Sequence, residues 1–387
     1  MQRYEIIANF ALLVKQVPSP GEGIYVMMAE AKSIECLSLV FTVGVVVGTM
    51  VPAGAAAGLP GLILPIIALP CFFRHSIKNW PEQRAVALLM ATFLFLGLFC
   101  ALNARLQGPS ARFPLQVFAE DTAQRLRTFI SALPFPSDET APLLKALLTG
   151  DRSSLSRETV AAFRGSGASH LLALSGLHIG IIYLIFDKLS WALGRSPAAR
   201  HLRYLLIVGG AAFFTLMTGA GPSIVRAFLF IAINETLRLL QRPRKAVRVL
   251  CLARLVQLVL DPSAASQLGF QLSYLAMAGI FLLYPLLEKW YPEGSRFNPL
   301  RRIWQAAALS ISCQVFTGPL AWYRFHTFPR YFLLTNLMAI PLTTGVMASA
   351  LTTIALSAAG ICPAALYTVT DGLCRLLVNV LEIISSL

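Results

Sequence analysis

Long apolar stretches of about 20 residues, separated by short polar segments, run along most of the chain. Stretches of this length without strict alternation are typical of transmembrane helices rather than of barrel strands. The predicted fold is therefore all-α, a polytopic bundle of transmembrane helices. It has about eleven spans, near residues 34–51, 58–73, 85–103, 169–192, 203–218, 222–240, 247–260, 264–287, 303–321, 331–358 (with a break near Pro341) and 363–385.

A polar interval divides the chain into an N-terminal region with three spans (1–103), a linker (104–167) and a transmembrane core (168–387). Within the linker, one segment has its apolar residues mostly along one helical face, which predicts an amphipathic helix on the membrane surface. These residues are Leu115, Phe118, Leu126, Phe129, Ile130 and Leu133. The sequence then predicts two short helices, the first ending near Gly150 and the second beginning with a serine cap before "SRET".

Composition and charge support a membrane protein. Hydrophobic residues make up 56% of the 387 and charged residues only 13%, whereas soluble domains carry about 25% charged residues. Lys and Arg lie in alternate loops, which predicts a multi-pass membrane protein with a cytoplasmic N-terminus and an external linker. The basic loops hold Arg74, Lys78, Arg84, Lys188, Arg195, Arg200, Arg203, Arg242, Arg244, Lys245, Arg248, Lys289, Arg296, Arg301 and Arg302. The net charge of +14 follows from these loops and does not by itself indicate nucleic acid.

The seven cysteines form no Cys-x-x-Cys pair and no His/Cys cluster with metal spacing. We therefore expect neither a metal nor another cofactor. The first 33 residues carry acids and "PSPGEG", which is not the arrangement of a cleaved signal peptide.

The first unusual segment is "SHLLALSGLHIG", which begins at Ser169. On one continuous helix, Ala173, Gly176 and Gly180 would form a small-residue face for close helix packing. Ser175 and His178 would be neighbours, with His170 about 80° round the helix. Either the polar side chains bond to neighbouring helices, or they line a water-filled path.

The second segment is "MTGAGPSIVRAF". Gly219 and Gly221 break the chain, and Pro222 is placed to begin a helix. The free N–H groups around Ser223, with Arg226 nearby, would then form an anion site. The alternative is a tight turn with Arg226 extending to the membrane interface.

Two further segments place polar groups in apolar surroundings. Gln267 and Gln271 are four residues apart, with Tyr274 on the next turn, and glutamines in a span need partners. The run from 316 to 342 interleaves aromatic side chains with Arg324, His326 and Arg330. These two segments fit interhelical bonding and an interfacial aromatic belt, or a surface that stacks bases and holds the phosphates of a single strand.

Together, "HLLALSGLHIGII", "MTGAGPSIVRA", "DPSAASQLGFQLSYLAMAGI" and "GPLAWYRF…LTNLMAIPL" resemble the competence domain of the ComEC family, over roughly Leu143 to Ile383. The resemblance implies an inner-membrane channel that carries one strand of DNA into the cytoplasm during natural transformation while the other strand is degraded outside. It also implies that residues of these four segments line or support the pore.

The chain departs from that family in two respects. The external interval is too short and too helical for the oligonucleotide-binding barrel, and no His-x-His-x-Asp-His motif of a metallo-β-lactamase-like nuclease is present. No Gly-x-x-x-x-Gly-Lys phosphate loop is present either. We therefore expect a bare channel core, with DNA capture, strand degradation and a cytoplasmic motor supplied by separate proteins.

Three other functions stay open. A transporter or flippase for another anionic polymer or lipid fits the anion site equally well. An intramembrane hydrolase would use Ser175 and His178, but Asp187 lies about 180° away on the same helix and would not orient the ring. A structural scaffold would pair all its polar groups internally.

Overall fold

The computed structural model describes residues 24–51, 63, 82–106, 114–194, 196–291, 299–326 and 329–387. Within them every regular element is a helix, so the predicted all-α class is confirmed. The α-helices are α1 (Ile24–Met50), α2 (Glu82–Leu106), α3 (Pro114–Ala132), α4 (Thr140–Thr149), α5 (Arg157–Gly165), α6 (Ser169–Leu172), α7 (Gly176–Leu189), α8 (Pro197–Met217), α9 (Pro222–Leu239), α10 (Ala246–Leu260), α11 (Leu268–Leu282), α12 (Tyr284–Glu288), α13 (Pro299–Phe325), α14 (Phe332–Ala358) and α15 (Ala364–Ser386). Short 3₁₀ helices cover Ser190–Leu193 and Pro262–Ser266.

Four segments of the described chain are long and apolar enough to cross a membrane: Ala87–Leu106, Leu268–Glu288, Phe332–Ala358 and Ala364–Ser386. Ile34–Met50 is a shorter apolar helix. The chain is thus a helical membrane protein, while the count of about eleven spans stays a prediction. The predicted span 58–73 lies outside the described residues, apart from Ile63.

The prediction of one helix over 169–192 is wrong. The chain leaves the helical conformation at Ala173 (φ −75°, ψ 123°), and α7 begins at Gly176 with Ser175 as its cap. The predicted span 264–287 corresponds to the membrane-capable segment Leu268–Glu288, within which α11 ends at Leu282 and α12 begins at Tyr284.

The predicted break near Pro341 is wrong as well, because α14 continues through it. Proline removes one backbone hydrogen bond, which membrane helices tolerate where neighbouring helices hold both sides of it. Ala339 and Thr343, on either side of Pro341, are fully buried.

The two short helices predicted in the linker are confirmed as α4 and α5. Gly150 ends α4 in the left-handed conformation (φ 76°), and Ser156 caps α5 by accepting from Thr159 N. Both helices pack on the hairpin of α14 and α15. The shared core is made of apolar side chains from the linker, α14 and α15: Ile130, Leu143, Leu144, Leu147, Phe163, Ala339, Val346, Met347, Leu377 and Leu381.

The linker contacts α15 near both ends of that helix. Ser137 and Thr140 bond to Asp371, and a Cβ at Gly165 would lie 2.9 Å from Ser385 Cβ. Fourteen helical residues separate Asp371 from Ser385, a rise of about 21 Å. The linker and the C-terminal hairpin are therefore parts of one folded body.

Asp371 ties the linker to the hairpin and is fully buried. Its Oδ1 accepts from Ser137 N at 3.1 Å and from Thr140 Oγ1 at 2.5 Å, and Arg375 forms an ion pair with Oδ2 at 2.6 Å. We expect Asp371→Ala to lower the free energy of unfolding by about 2–4 kcal/mol, because the buried hydroxyl of Thr140 and the partly buried N–H of Ser137 lose their acceptor. Thermal unfolding in detergent measures this. Glu382→Ala, which removes an exposed carboxylate from the same helix, is the control, and equal melting temperatures would contradict the role of Asp371.

Candidate substrate path

The break between α6 and α7 comes from a reciprocal cap. Ser175 Oγ accepts from Leu177 N at 3.3 Å, while His178 Nδ1 accepts from Ser175 N at 3.2 Å. This is the arrangement of a capping box, with His at the position usually held by Glu or Gln. The segment's two polar side chains therefore begin a helix.

The cap also fixes the tautomer of His178. Since Nδ1 accepts a backbone N–H, the ring proton lies on Nε2. His178 is fully buried, and Nε2 has no hydrogen-bond partner among the described residues. A buried donor without a partner is costly, so Nε2 of His178 is a donor that a bound polar group would stabilise.

The second chain break lies beside the first. Gly219 and Ala220 have positive φ (81° and 51°), and Pro222 begins α9 as predicted. Ser223 Oγ donates to Gly269 O at 3.0 Å, which fixes this end of α9 to α11.

Arg226 lies one turn further along α9. Its guanidinium is 5.8 Å from the centre of the Tyr274 ring, within the range of a cation–π contact. Its Nη2 is 3.7 Å from where a Cβ would stand at Gly176. Arg226 Nε has no hydrogen-bond partner in the described part of the chain. The structure thus brings Arg226 to the beginning of α7.

Gln257 on α10 holds these parts together and was missed by the sequence analysis. Its Nε2 donates to Pro222 O at 2.9 Å, and its Oε1 accepts from Tyr274 OH at 3.1 Å. It fixes both the start of α9 and the ring beside Arg226. The signal in the sequence was only its residue type, an amide within a mostly apolar predicted span.

A cavity of about 480 Å³, which we name the vestibule, lies where the two breaks meet the linker. Its walls include Glu120, Arg127 and Arg152 from the linker, Ala173 and Leu174 from the first break, and Gly219, Gly221, Pro222 and Ser223 from the second. Arg152 Nη2 donates to Leu172 O at 2.7 Å. The vestibule therefore combines two cations and one carboxylate with the beginning of α9.

Asp151 lies beside Arg127, with 3.7 Å between the Oδ2 and Nε atoms. Hydrogen bonds from the hydroxyl and backbone N–H of Ser153 hold the pKa of Asp151 below its ordinary value. Asp151 is therefore ionised at neutral pH and offsets part of the charge of Arg127, whereas Arg152 has no ion pair in the described residues.

Comparison with known proteins decides the family. The family model described as Competence protein matches residues 147–387, more than half of the chain. The chain belongs to the Competence protein family. The ComEC-type resemblance of the four sequence segments is thereby confirmed.

Curated relatives agree with the Competence match. ComE operon protein 3 of Bacillus subtilis is 28% identical over 210 residues, 54% of this chain and 25% of its own length. Competence protein ComA of Neisseria gonorrhoeae is 31% identical over 51% of this chain and 28% of its own length. Recombination protein 2 of Haemophilus influenzae is 26% identical over 52% and 26%, respectively. The match spans only about a quarter of these relatives, and no solved structure matches.

The sequence analysis also predicted that Gln267, Gln271, His170 and Arg324 line the path. These residues are not in the wall of the vestibule. Gln267 is an exposed cap of α11, and Gln271 Nε2 donates to Ala265 O at 3.0 Å. His170 is exposed, with Nδ1 3.2 Å from Gly167 O. Arg324 is exposed in the last turn of α13.

The predicted small-residue face does not form as one helical stripe. Ala173 lies outside α7, and no described atom comes within 4 Å of a Cβ built at Gly180. A Cβ built at Gly176 would lie 3.6 Å from Ala227 Cβ, an ordinary van der Waals distance. Of the three small residues, only Gly176 thus lies on α7 with a neighbouring helix in reach of its Cβ position.

Among the residues that the structure describes, no carboxylate bonds to the Ser175/His178 pair. Asp187, near the other end of α7, forms ion pairs with Arg203 and Arg238. Among the described residues no group of three His, Cys, Asp or Glu side chains could hold a metal ion.

Proposed function

We propose that this chain is the multi-pass core of an inner-membrane channel, with a cytoplasmic N-terminus and about eleven spans. It carries single-stranded DNA into the cytoplasm during natural transformation. The family match and the competence names of two relatives support a role in DNA uptake.

One observation carries the proposal: the vestibule, with Arg127 and Arg152 in its wall, adjoins two helix beginnings, and two donors near them have no partner among the described residues. Phosphate groups bind where helix N-termini and arginines converge. Arg226 Nε and His178 Nε2 are donors of this kind. In the proposed path, phosphates enter past Arg127 and Arg152 and then contact Ser223, Arg226 and His178, with Tyr274 beside them.

DNA capture, degradation of the second strand and a cytoplasmic motor are proposed to come from partner proteins. The match to the Competence protein family supports a place for this chain among proteins of DNA uptake. We propose that the linker faces the outside, where captured DNA arrives at the vestibule.

The proposal is tested by deleting the gene and scoring uptake of end-labelled duplex DNA. Loss of the label from the cytoplasm, its retention outside, and recovery on complementation are expected. Unchanged entry of labelled DNA would contradict the proposal, and would favour the other open function, transport of a different anionic polymer or lipid.

The two histidines of the first segment provide a matched pair of variants. His178→Gln should leave protein abundance unchanged, because glutamine at this position can still complete the capping box. It should lower DNA entry about tenfold, because the Nε2 donor is lost. His170→Gln should change neither quantity, since His170 is exposed. Membrane immunoblots and labelled-DNA uptake measure both, and equal uptake in all three proteins would remove His178 from the path.

A further inference from the structure

Arg254 is a cation on α10, inside the predicted span 247–260. Its Nε and Nη2 both donate to Ser38 Oγ, at 3.0 and 2.8 Å. That hydroxyl in turn donates to Cys251 O at 3.1 Å. A guanidinium has five N–H donors, so one neutral hydroxyl leaves most of its capacity unused. No carboxylate forms an ion pair with Arg254 in the described chain.

Arg254 lies close to the path because of Gln257, which is one turn away on the same helix. The bond from Gln257 to Pro222 O places the end of α10 beside the beginning of α9, so the two helices are antiparallel. Arg226 is four residues along α9 from this bond, a rise of about 6 Å, and Arg254 is three residues back along α10, about 4.5 Å. The two backbone positions are thus at a similar depth.

The two side chains point in opposite directions along the bundle. Helical side chains tilt toward the N-terminus of their own helix. Arg226 therefore leans toward the vestibule, and Arg254 leans away from it, toward Ser38 on α1. The two guanidinium groups therefore lie one after the other along the bundle axis. Tyr274, which contacts Arg226 and Gln257, lies beside them.

A cation within a membrane protein pairs with an acid, or it marks an ion pathway. The acid nearest in sequence to the Ser38 contact is Glu35, one turn away on α1, and it forms no ion pair with Arg254 in the structure. We infer that Arg254 is a second anion-binding position, deeper than Arg226, that takes a phosphate group of a phosphate-bearing polymer. This inference rests on the proposed function and extends its path from α9 to α10.

Salt dependence of binding tests the inference. The purified full chain in detergent is titrated with fluorescein-labelled oligothymidylate at several KCl concentrations. Each lost phosphate contact on a single strand makes the slope of log K against log salt shallower by about 0.7. Arg254→Gln should show this change and about tenfold weaker binding at low salt, whereas Arg254→Lys should keep the wild-type slope because the charge remains.

An unchanged slope in Arg254→Gln would overturn the inference, since a merely structural residue does not alter the number of phosphate contacts. Arg254→Met is a second neutral variant should the glutamine protein not fold. Glu35→Gln should leave the slope unchanged. A steeper slope in that variant would show that Glu35 holds Arg254, which would also overturn the inference.

A failure of the proposed function gives a different result. Wild-type protein that binds oligothymidylate without salt dependence, or not at all, would contradict a DNA path. Thermal unfolding with inorganic pyrophosphate then tests the anion site at Arg254 independently of DNA. A higher melting temperature with pyrophosphate in the wild type but not in Arg254→Gln would retain the site, and no protection would overturn it.

Discussion

Arg226→Ala should reduce entry of labelled DNA on the order of 100-fold while folded protein stays in the membrane. A hydrogen bond to a charged group contributes about 1.5–3 kcal/mol, and each 1.4 kcal/mol corresponds to about tenfold. Arg226→Lys should retain part of the transport, because the charge remains while the planar fork that binds phosphate through two bonds is lost. Uptake of end-labelled DNA, normalised to the amount of protein in the membrane, measures both effects.

Arg324→Ala is the matched control for Arg226. Both arginines belong to sequence segments that predicted a path, but Arg324 is exposed in the last turn of α13. Normal transport by Arg226→Ala would make Arg226 an interfacial anchor. Equal loss in both variants would show that the path does not follow the vestibule.

Gly279→Leu should nearly eliminate folded protein. A Cβ at Gly279 would stand 2.2 Å from the backbone oxygen of Ser312, so α11 and α13 would have to separate. Overpacking of a close contact costs about 1–3 kcal/mol, and more where backbone must move. Membrane abundance and size-exclusion profiles of the purified protein measure the loss.

Gly180→Leu carries the same change on α7, where no described atom lies within 4 Å of the new Cβ. We expect its abundance to match that of the wild type. If Gly180→Leu were the more damaging of the two, α7 would pack through the small-residue face that the sequence predicted, and the structure would be wrong there.

The two chain breaks show what sequence reasoning could reach. The second was predictable, because two glycines and a proline at a helix start are strong local signals. The first was missed because "SHLLALSGLHIG" has no proline and its apolar residues fit a continuous helix. The only local signal of the break was the spacing of Ser175 and His178, which is that of a capping box with His in place of the usual Glu or Gln.

Close packing was harder to predict than the breaks. Gly180 belongs to a small-residue pattern and Gly279 does not, yet Gly279 is the one in backbone contact with another helix. Which glycine is approached depends on how helices distant in sequence cross. For the same reason Gln257 was missed, since its two partners, Pro222 and Tyr274, come from other helices.

Contact between the moving strand and the vestibule is the most direct test of the proposed path. A photoreactive phenylalanine analogue at Ser223 should crosslink to the incoming labelled strand during uptake, and the product should carry single-stranded DNA. The same analogue at Gln267, which is exposed and outside the vestibule, should give no product. Crosslinking at Gln267 but not at Ser223, or no crosslink at Ser223 while DNA enters the cell, would contradict the account.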